Sequence, residues 1–336
     1  MNMQKVDLLF MVEQAIRAPS GHNAQPWLFR IDGYGIEIHP DLDRSLPVVD
    51  PDNSELFISL GCATENICIA ASQTGYGAHV SIGKSGAITI ELDKSGTIIP
   101  DPLFDSIAVR QTNRSTYNGR SIPPDTIEAL KAIPVELGVN VHFYGSGSPG
   151  FDAIAEYIRC GNSIQMQNTA FMDELKEWLR YNRRHQDATN DGLSYAVFGA
   201  PNLPEFIVKP IMSKAINERT QNKGDGKKLR SASHLVLFTT TEDTIGEWIA
   251  LGRTLQRFLL KSTGLGIAHS FFNQPNEVAE LAAQMAGTLR LPGEHPAILI
   301  RLGYGKAMPY SKRREAEEVI VDRDNGAKPD SDIKMD

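Results

Sequence analysis

The stretch Ala18–Trp27, APSGHNAQPW, decides how the rest of the chain is interpreted. Its two prolines and its glycine disfavour both a helix and a strand, because proline fixes φ and lacks an N–H donor. Yet the stretch carries two amides, an imidazole and an indole. A loop so rich in hydrogen-bonding groups predicts a binding surface.

Regular elements surround this loop. Residues 4–17 place apolar side chains roughly on one side of a helix, which Pro19 ends because proline restricts its predecessor to extended geometry. Alternating apolar residues after the loop predict a β-hairpin with its turn at 32–35. The apolar pattern then predicts one helix and two strands, at 54–74, 78–83 and 87–92.

A similar pattern returns in the last third of the chain. A capping box at Thr244–Glu247 starts a helix that ends at Gly264. Both long helices end in the pattern T-G-x-G, at Thr74–Gly77 and Thr263–Gly266, which suggests an internal duplication. Buried strands are predicted at 234–238 and 296–302. The intervening chain is predicted to contain a helical stretch, a turn-rich stretch and a glycine- and lysine-rich loop, at 151–186, 187–205 and 223–228.

Composition limits the classes of function. With 336 residues, 41% hydrophobic and 22% charged, the chain is typical of a globular protein with an ample core. A net charge of −7 argues against general binding of nucleic acid or of a membrane surface. Asp7 lies where a signal peptide would need its apolar region, so we expect no signal peptide, and no apolar run reaches transmembrane length. Three cysteines without metal-ligand spacing predict neither a disulfide framework nor a metal site, and we expect a cytoplasmic protein.

Two basic clusters are candidates for anion binding. Arg110 and Arg114 flank a glutamine, a threonine and an asparagine, just ahead of a helix that Pro123–Asp125 starts. Lys312–Arg314 follows the last predicted strand. The planar guanidinium group matches phosphate oxygens. Each cluster alone also fits a solvated surface, whereas both together favour an anion between them.

The sequence does not contain the motifs of dinucleotide binding, of metal binding or of nucleophilic catalysis. The glycine pairs of the two T-G-x-G patterns follow helices instead of strands, which rejects a Rossmann dinucleotide site. The eight histidines are scattered, and Gly145–Pro149 lacks the strand-to-helix setting of a nucleophile elbow. We therefore predict no catalytic side chain and no metal ligand.

The loop at 18–27 resembles, without a gap, the A-P-S-x-x-N-x-Q-P-W segment of the FMN-dependent nitroreductase family. The family signature R-R-S-x-[RK]-x-[FY] resembles Arg110–Tyr117, but here it follows the loop, whereas in the family it precedes it. Family members are homodimers that take the signature from one subunit and the loop from the other. The inverted order is similar to the tandem, Acg-like branch, in which one chain imitates the dimer.

This resemblance implies an α+β, nitroreductase-like fold with two tandem halves. We expect the first half at 1–105 and the second at 106–321, with a helical insertion at about 145–225 and a flexible tail at 322–336. The resemblance also implies one FMN per chain. It implies ping-pong transfer of hydride from NAD(P)H to flavin N5 and then to a small electron-poor acceptor, such as a nitroaromatic or a quinone. A pseudo-dimer of this kind can act as a monomer.

The family's residue roles carry over position by position. Arg110 and Thr112 are implied to hold the phosphate and ribityl region, and Arg313 or Arg314 a further part of the phosphate. Arg114 matches a cation beside the pyrimidine edge of the flavin, where positive charge stabilises the reduced ring. The other implied contacts come from the loop and from the segment after the second long helix, at Pro19, Ser20, Gly21, Asn23, Phe272, Asn273 and Gln274.

Two alternatives stay open. The first is a protein that binds flavin without turnover, for sequestration or redox sensing, in which the insertion with Trp178, Arg180 and Tyr181 covers the flavin. The second, less favoured, is nucleic-acid binding through residues 223–230 and 312–314, which would weaken steeply with salt.

Overall fold

The computed structural model describes residues 5–322, with residues 212–215 described by their backbone only. The strands, numbered in chain order, are β1 Trp27–Ile31, β2 Gly35–Pro40, β3 Gly77–Ile82, β4 Ile88–Asp93, β5 Val139–Gly145, β6 Leu179–Arg180, β7 Leu193–Ser194, β8 His234–Thr240, β9 Ala268–Phe271 and β10 His295–Gly303. The helices are α1 Lys5–Ala15, α2 Ser54–Gln73, α3 Phe104–Ile107, α4 Pro124–Lys131, α5 Pro149–Gln167, α6 Thr169–Glu177, α7 Arg183–Thr189, α8 Glu205–Ala215, α9 Glu218–Arg230, α10 Ile245–Gly264, α11 Ala279–Leu289 and α12 Ala316–Val319. The predicted α+β class is confirmed.

Two four-stranded antiparallel sheets repeat one topology. Their strand orders are β1-β2-β4-β3 and β5-β8-β10-β9, and the hairpin predicted after the loop forms β1 and β2. In each sheet a twenty-residue helix, α2 or α10, connects the second strand in the chain to the third. The two tandem halves predicted from the sequence are therefore present. The division at residue 105 falls between the sheets and stays a prediction.

The register of the repeat differs from the predicted one. Gly75 and Gly266 have left-handed backbone, with φ of 76° and 71°, and each lies two residues beyond the end of its helix. The structure therefore matches Gly75 with Gly266, whereas aligning the T-G-x-G patterns matched Gly75 with Gly264. That alignment is wrong by two residues, because the glycine with left-handed backbone is the first of the T-G-x-G pattern in one half and the second in the other.

One apolar core joins the halves. It includes Phe29 and Leu60 from the first half and Phe238 and Phe258 from the second, each fully buried. Complete burial of one such side chain contributes about 1.5–3 kcal/mol. The halves thus stabilise one another.

The insertion, residues 146–233, lies between β5 and β8 and contains α5 to α9. The helical stretch predicted over 151–186 is divided into α5, α6 and the start of α7, with β6 between the last two. The first division arises because Asn168 ends α5 and caps α6 by accepting from the N–H groups of Ala170 and Phe171. The loop predicted at 223–228 lies inside α9, where Lys228 donates to Asp225 over 3.1 Å. The turn-rich stretch predicted at 187–205 contains the end of α7 and the strand β7.

Two further predictions concern the C-terminal tail and the absence of a membrane-spanning helix. Residues 323–336 of the predicted tail lie outside the described residues. Within residues 5–322, no helix is both long and apolar enough to cross a membrane.

Candidate functional site

The loop between α1 and β1 has unusual backbone geometry. His22, Asn23 and Gln25 have φ of 48°, 59° and 57°, a region that residues other than glycine rarely adopt. Each such residue costs on the order of 1–3 kcal/mol, and this cost is found mainly at binding and catalytic sites. The loop is therefore held in a conformation that its own sequence does not favour.

Gln25 and Asn23 hold the loop in place. Gln25 is fully buried, and its Nε2 donates to the Asn190 carbonyl over 3.0 Å while its Oε1 accepts from the Arg314 N–H over 2.8 Å. The Nδ2 of Asn23 donates to the carbonyls of Gly192 and Lys312, each over 3.1 Å. The insertion and the C-terminal segment thus fix the loop from two sides.

The basic segment 110–114 lies beside the start of β9. The N–H of Asn113 donates to the His269 carbonyl over 2.8 Å. Arg301, fully buried in β10, donates to the carbonyls of Asn113 and Ser115 over 3.1 and 2.6 Å. Arg110 reaches the residue just ahead of the loop 18–27, where its Nη2 donates to the Arg17 carbonyl over 2.9 Å. The loop and the basic segment therefore converge, as the resemblance implies.

A cavity of about 270 Å³ lies where these two segments meet. Four arginines line it, and none of its lining residues in the described part of the chain is acidic: the arginines are Arg17, Arg110, Arg114 and Arg313. Three buried guanidinium nitrogens have no hydrogen-bond partner within the described part of the chain: Arg110 Nε, Arg110 Nη1 and Arg313 Nε. Burial lowers the pKa of Arg110 to about 10, and burial and the neighbouring arginines lower the pKa of Arg313 to about 9. This cavity fits a phosphate group.

A second cavity, of about 350 Å³, adjoins the first, and both are lined by Pro19, Ser20, Arg114 and Phe271. Its wall combines the loop, one side of α2, the segment after β9 and apolar side chains of the insertion, among them Phe171, Leu175, Leu179 and Phe198. The Arg114 guanidinium lies 5.7 Å from the centre of the Phe198 ring. Joined polar and apolar spaces of this size are typical of a small-ligand site.

Most residues predicted for the site lie around these two cavities. The larger cavity is lined by Pro19, Ser20, Gly21, Arg114, Asn273 and Gln274. The smaller cavity is lined by Pro19, Ser20, Asn23, Arg110, Thr112, Arg114 and Arg313. Their contacts with a flavin stay predictions.

Two predicted residues lie elsewhere. The side chain of Phe272 is only 3% exposed and packs in the core with Phe151 and Leu235, so that its neighbour Phe271 faces the cavities. Arg314 lies 3.7 Å from Asp41 and lines neither cavity. Of the two alternatives for a further phosphate partner, the structure therefore places Arg313 at the site and Arg314 in the scaffold.

The structure adds residues that sequence reasoning missed. His22 lines the larger cavity, and burial together with the charge of Arg114 lowers its pKa to about 4, which keeps the imidazole neutral. Glu55 and Glu277 line the same cavity. Arg301 could have been singled out in the sequence, because an arginine within an apolar strand is unusual. Nothing in the sequence around Glu55 or Glu277 indicates a role in the site.

A strained polar loop and a cluster of four arginines, meeting between two tandem halves, define a site for an anionic cofactor. No family model matches the chain. Among solved structures, a nitroreductase of Bacteroides fragilis with bound FMN is 15% identical, with a TM-score of 0.40, over 66% of this chain and 100% of its own.

Two curated relatives from Mycobacterium tuberculosis match almost the whole chain, and both bear provisional names as NAD(P)H nitroreductases. Rv3131 is 25% identical over 318 residues, which cover 91% of this chain and 88% of its own. Acg is 22% identical over 330 residues, which cover 92% of this chain and 93% of its own. This similarity confirms the resemblance to Acg-like nitroreductases.

Proposed function

We propose that the chain is an FMN-dependent NAD(P)H oxidoreductase. The observation that carries the proposal is the cluster of four arginines at the loop 18–27, two of which, Arg110 and Arg313, have buried nitrogens without a partner among the described residues. A cluster of cations without a carboxylate partner is costly, and a phosphate group relieves that cost. The names of Rv3131 and Acg, and the FMN in the Bacteroides fragilis structure, support the same cofactor and reductant.

The phosphate would lie in the smaller cavity. Arg110 and Arg313 supply donors that have no partner among the described residues, and Thr112 lines the same cavity. A hydrogen bond to a charged group contributes about 1.5–3 kcal/mol. The arginines would therefore supply a large part of the affinity for FMN.

The ring system would lie in the larger cavity. When bound, FMN accepts hydride from NAD(P)H and passes it to an electron-poor acceptor, such as a nitroaromatic or a quinone. Arg114, which lines both cavities, supplies positive charge beside the ring, while Phe171, Leu175 and Leu179 exclude water from its surroundings. A cytoplasmic location and a monomeric state stay predictions.

The test is a spectrum. Purified protein is incubated with FMN, freed of excess cofactor, and mixed anaerobically with NADH or NADPH. We expect a yellow protein whose visible flavin absorbance is bleached by one of the two nucleotides. A protein that stays colourless after incubation would overturn the proposal.

A second candidate, flavin binding without turnover, is favoured by how firmly the insertion is anchored over the larger cavity. The Glu174 carboxylate accepts from the N–H groups of Val48 and Val49 over 2.9 and 3.0 Å. Asp191 pairs with Arg44 of the first half and with Arg180.

The cover differs from the predicted one. Leu179 lines the larger cavity, whereas the side chains predicted to cover it, those of Trp178, Arg180 and Tyr181, do not. A bound flavin that dithionite reduces but neither nicotinamide nucleotide reduces would favour this second candidate.

A further inference from the structure

Glu55 and Glu277 stand between two cavities. Both line the 350 Å³ cavity proposed to hold the flavin ring. Both also line a separate cavity of about 790 Å³, here called the outer cavity, which is bordered by the start of α2, one side of α11 and the start of β10. The two glutamates therefore border both cavities.

Glu55 lies at the reactive end of the site. Its Oε1 accepts from Asn273 Nδ2 over 2.7 Å, and Asn273 belongs to the segment that the resemblance places past flavin N5. A Cβ added to Gly21 would lie 3.2 Å from Glu55 Oε2, so the carboxyl group also touches the loop proposed to hold the ring. One side chain thus contacts both protein segments proposed to surround the reacting atoms.

Glu277 is the second buried carboxyl group between the two cavities. Its carboxyl group accepts from Gln165 Nε2, and within residues 5–322 neither Glu277 nor Glu55 forms an ion pair. Other acidic groups approach them: Asp50 and Asp52 near Glu55, and Asp50 and Glu174 near Glu277. Carboxylates this crowded in a poorly solvated space cannot all be ionised.

The protonation states agree with this geometry. Burial and the neighbouring carboxylates raise the pKa of Glu55 well above its ordinary value and the pKa of Glu277 to about 7. Burial raises the pKa of Asp50 to about 6. The cationic Arg114 and the neutral His22 line the same cavity as the two glutamates. At neutral pH the pair therefore retains a proton that it can donate.

We propose that Glu55 donates a proton to the reduced acceptor and that Glu277 restores it from the outer cavity. The inference rests on the proposed function, and Glu55 is then a catalytic residue, whereas Glu277 acts through it. A quinone that takes up a hydride gains two electrons and one proton, which leaves one oxygen anionic. The O–H bond of Glu55 breaks, a new O–H bond forms on that oxygen, and the Glu55 carboxylate takes the proton of Glu277. Water in the outer cavity then reprotonates Glu277.

The test isolates the second half-reaction. FMN-loaded protein is reduced with dithionite, mixed with a soluble benzoquinone in a stopped-flow instrument, and followed by the return of flavin absorbance, in H2O and in D2O. The variants are Glu55→Gln, which keeps an acceptor for Asn273, and Glu277→Gln. Glu280→Gln, an exposed acid at the start of α11, is the control.

We expect the wild-type rate to fall as the pH rises through about 7, with a solvent isotope effect. Glu55→Gln should be slower by roughly a hundredfold or more at low pH, because a positioned general acid contributes about 10²–10⁴-fold. Its solvent isotope effect should be smaller than that of the wild type, because only the exchangeable hydrogen on flavin N5 still contributes. Glu277→Gln should lose the pH dependence near neutrality, and Glu280→Gln should behave as the wild type. Reoxidation of Glu55→Gln at the wild-type rate at every pH would overturn the proposal.

A second measurement does not depend on turnover. The infrared absorption of a protonated carboxyl group, recorded on flavin-free protein at a pH just above neutrality, should be present in the wild type and lost in Glu55→Gln. If this absorption is absent from the wild type, the proposed proton transfer through Glu55 and Glu277 is also overturned. If the wild type binds no FMN, the proposed function fails instead, and the infrared signal still reports whether the proton is there.

Discussion

Gly61 of α2 and Gly252 of α10 face each other where the two long helices cross. A Cβ on Gly61 would lie 2.2 Å from the Ile249 carbonyl oxygen, and a Cβ on Gly252 would lie 2.1 Å from the Ile58 carbonyl oxygen. The two contacts are equivalent under the repeat that matches Gly75 with Gly266. The halves of this chain therefore meet as two subunits of a symmetric dimer would.

Replacing either glycine should weaken the contact between the halves. Because backbone atoms occupy the space, Gly252→Ala forces the helices apart and should lower the free energy of unfolding by about 3 kcal/mol. Gly246→Ala in the same helix is the control, since nothing lies within 4 Å of its added Cβ. Chemical denaturation of both variants is the measurement. Equal stability of Gly252→Ala and the wild type would contradict the close packing.

Much of this architecture was visible in the sequence because it depends on local patterns. The loop at 18–27, the basic segment at 110–114 and the two long helices each carry a signal within about ten residues. The register of the repeat was not visible, since it depends on which glycine reverses the chain after the helix, Gly75 in one half and Gly266 in the other.

The parts of the site that were missed depend on orientation and long-range contact. Phe271 and Phe272 are identical residue types, and only packing against Phe151 decides which of them faces the cavities. In the sequence, Glu55 looks like an ordinary acidic residue in the first turn of a helix, where a negative charge interacts favourably with the helix dipole. Its role depends on Asn273, which is far away in the chain.

The arginines of the smaller cavity should lower the stability of the flavin-free protein while they strengthen FMN binding. Arg313→Met removes a half-buried cation whose pKa its arginine neighbours depress, so the flavin-free protein should become more stable. The same change removes a phosphate partner and should weaken FMN binding by roughly tenfold to a hundredfold. Thermal unfolding without FMN and fluorescence titration with FMN are the measurements.

Arg159→Ala on the outer face of α5 is the control, because Arg159 is paired with Glu156 on the surface. It should leave FMN binding unchanged. If Arg313→Met bound FMN as tightly as the wild type, the smaller cavity would not be the phosphate site.

Arg114 should influence both His22 and the cofactor. Burial and the charge of Arg114 hold the pKa of His22 at about 4, so Arg114→Ala should raise that pKa, measurable by NMR titration without any flavin. In FMN-loaded protein the same change should make the reduction potential more negative, because positive charge near the reduced ring is lost. Arg114→Lys, which keeps the charge, should retain most of both effects. An unchanged potential in Arg114→Ala would mean that the ring lies elsewhere.

The anchor of the insertion can be loosened at Glu174. In Glu174→Gln only one side-chain oxygen remains, so one of the N–H groups of Val48 and Val49 loses its partner, at a cost of about 1–3 kcal/mol. We expect faster hydrogen exchange in α6 and faster release of FMN. Asp173→Asn, an exposed acid on the same helix, is the control. Unchanged exchange in α6 would show that Glu174 is not an anchor.

The stability of the flavin-free protein should fall as the pH rises from about 4.5 to about 7, partly because of Glu277. Burial and neighbouring carboxylates raise its pKa from 4.5 to about 7 in the folded chain. Between these values the unfolded chain releases the proton and the folded chain keeps it, so unfolding is favoured increasingly as the pH rises. Glu277→Gln removes this penalty and should therefore gain up to about 3 kcal/mol on the wild type at pH values above about 7, and nothing below about 4.5. Denaturant unfolding at both ends of this range measures the difference, with Glu280→Gln as the control. A gain of equal size at both ends would mean that Glu277→Gln acts through packing and that Glu277 is ionised in the folded protein.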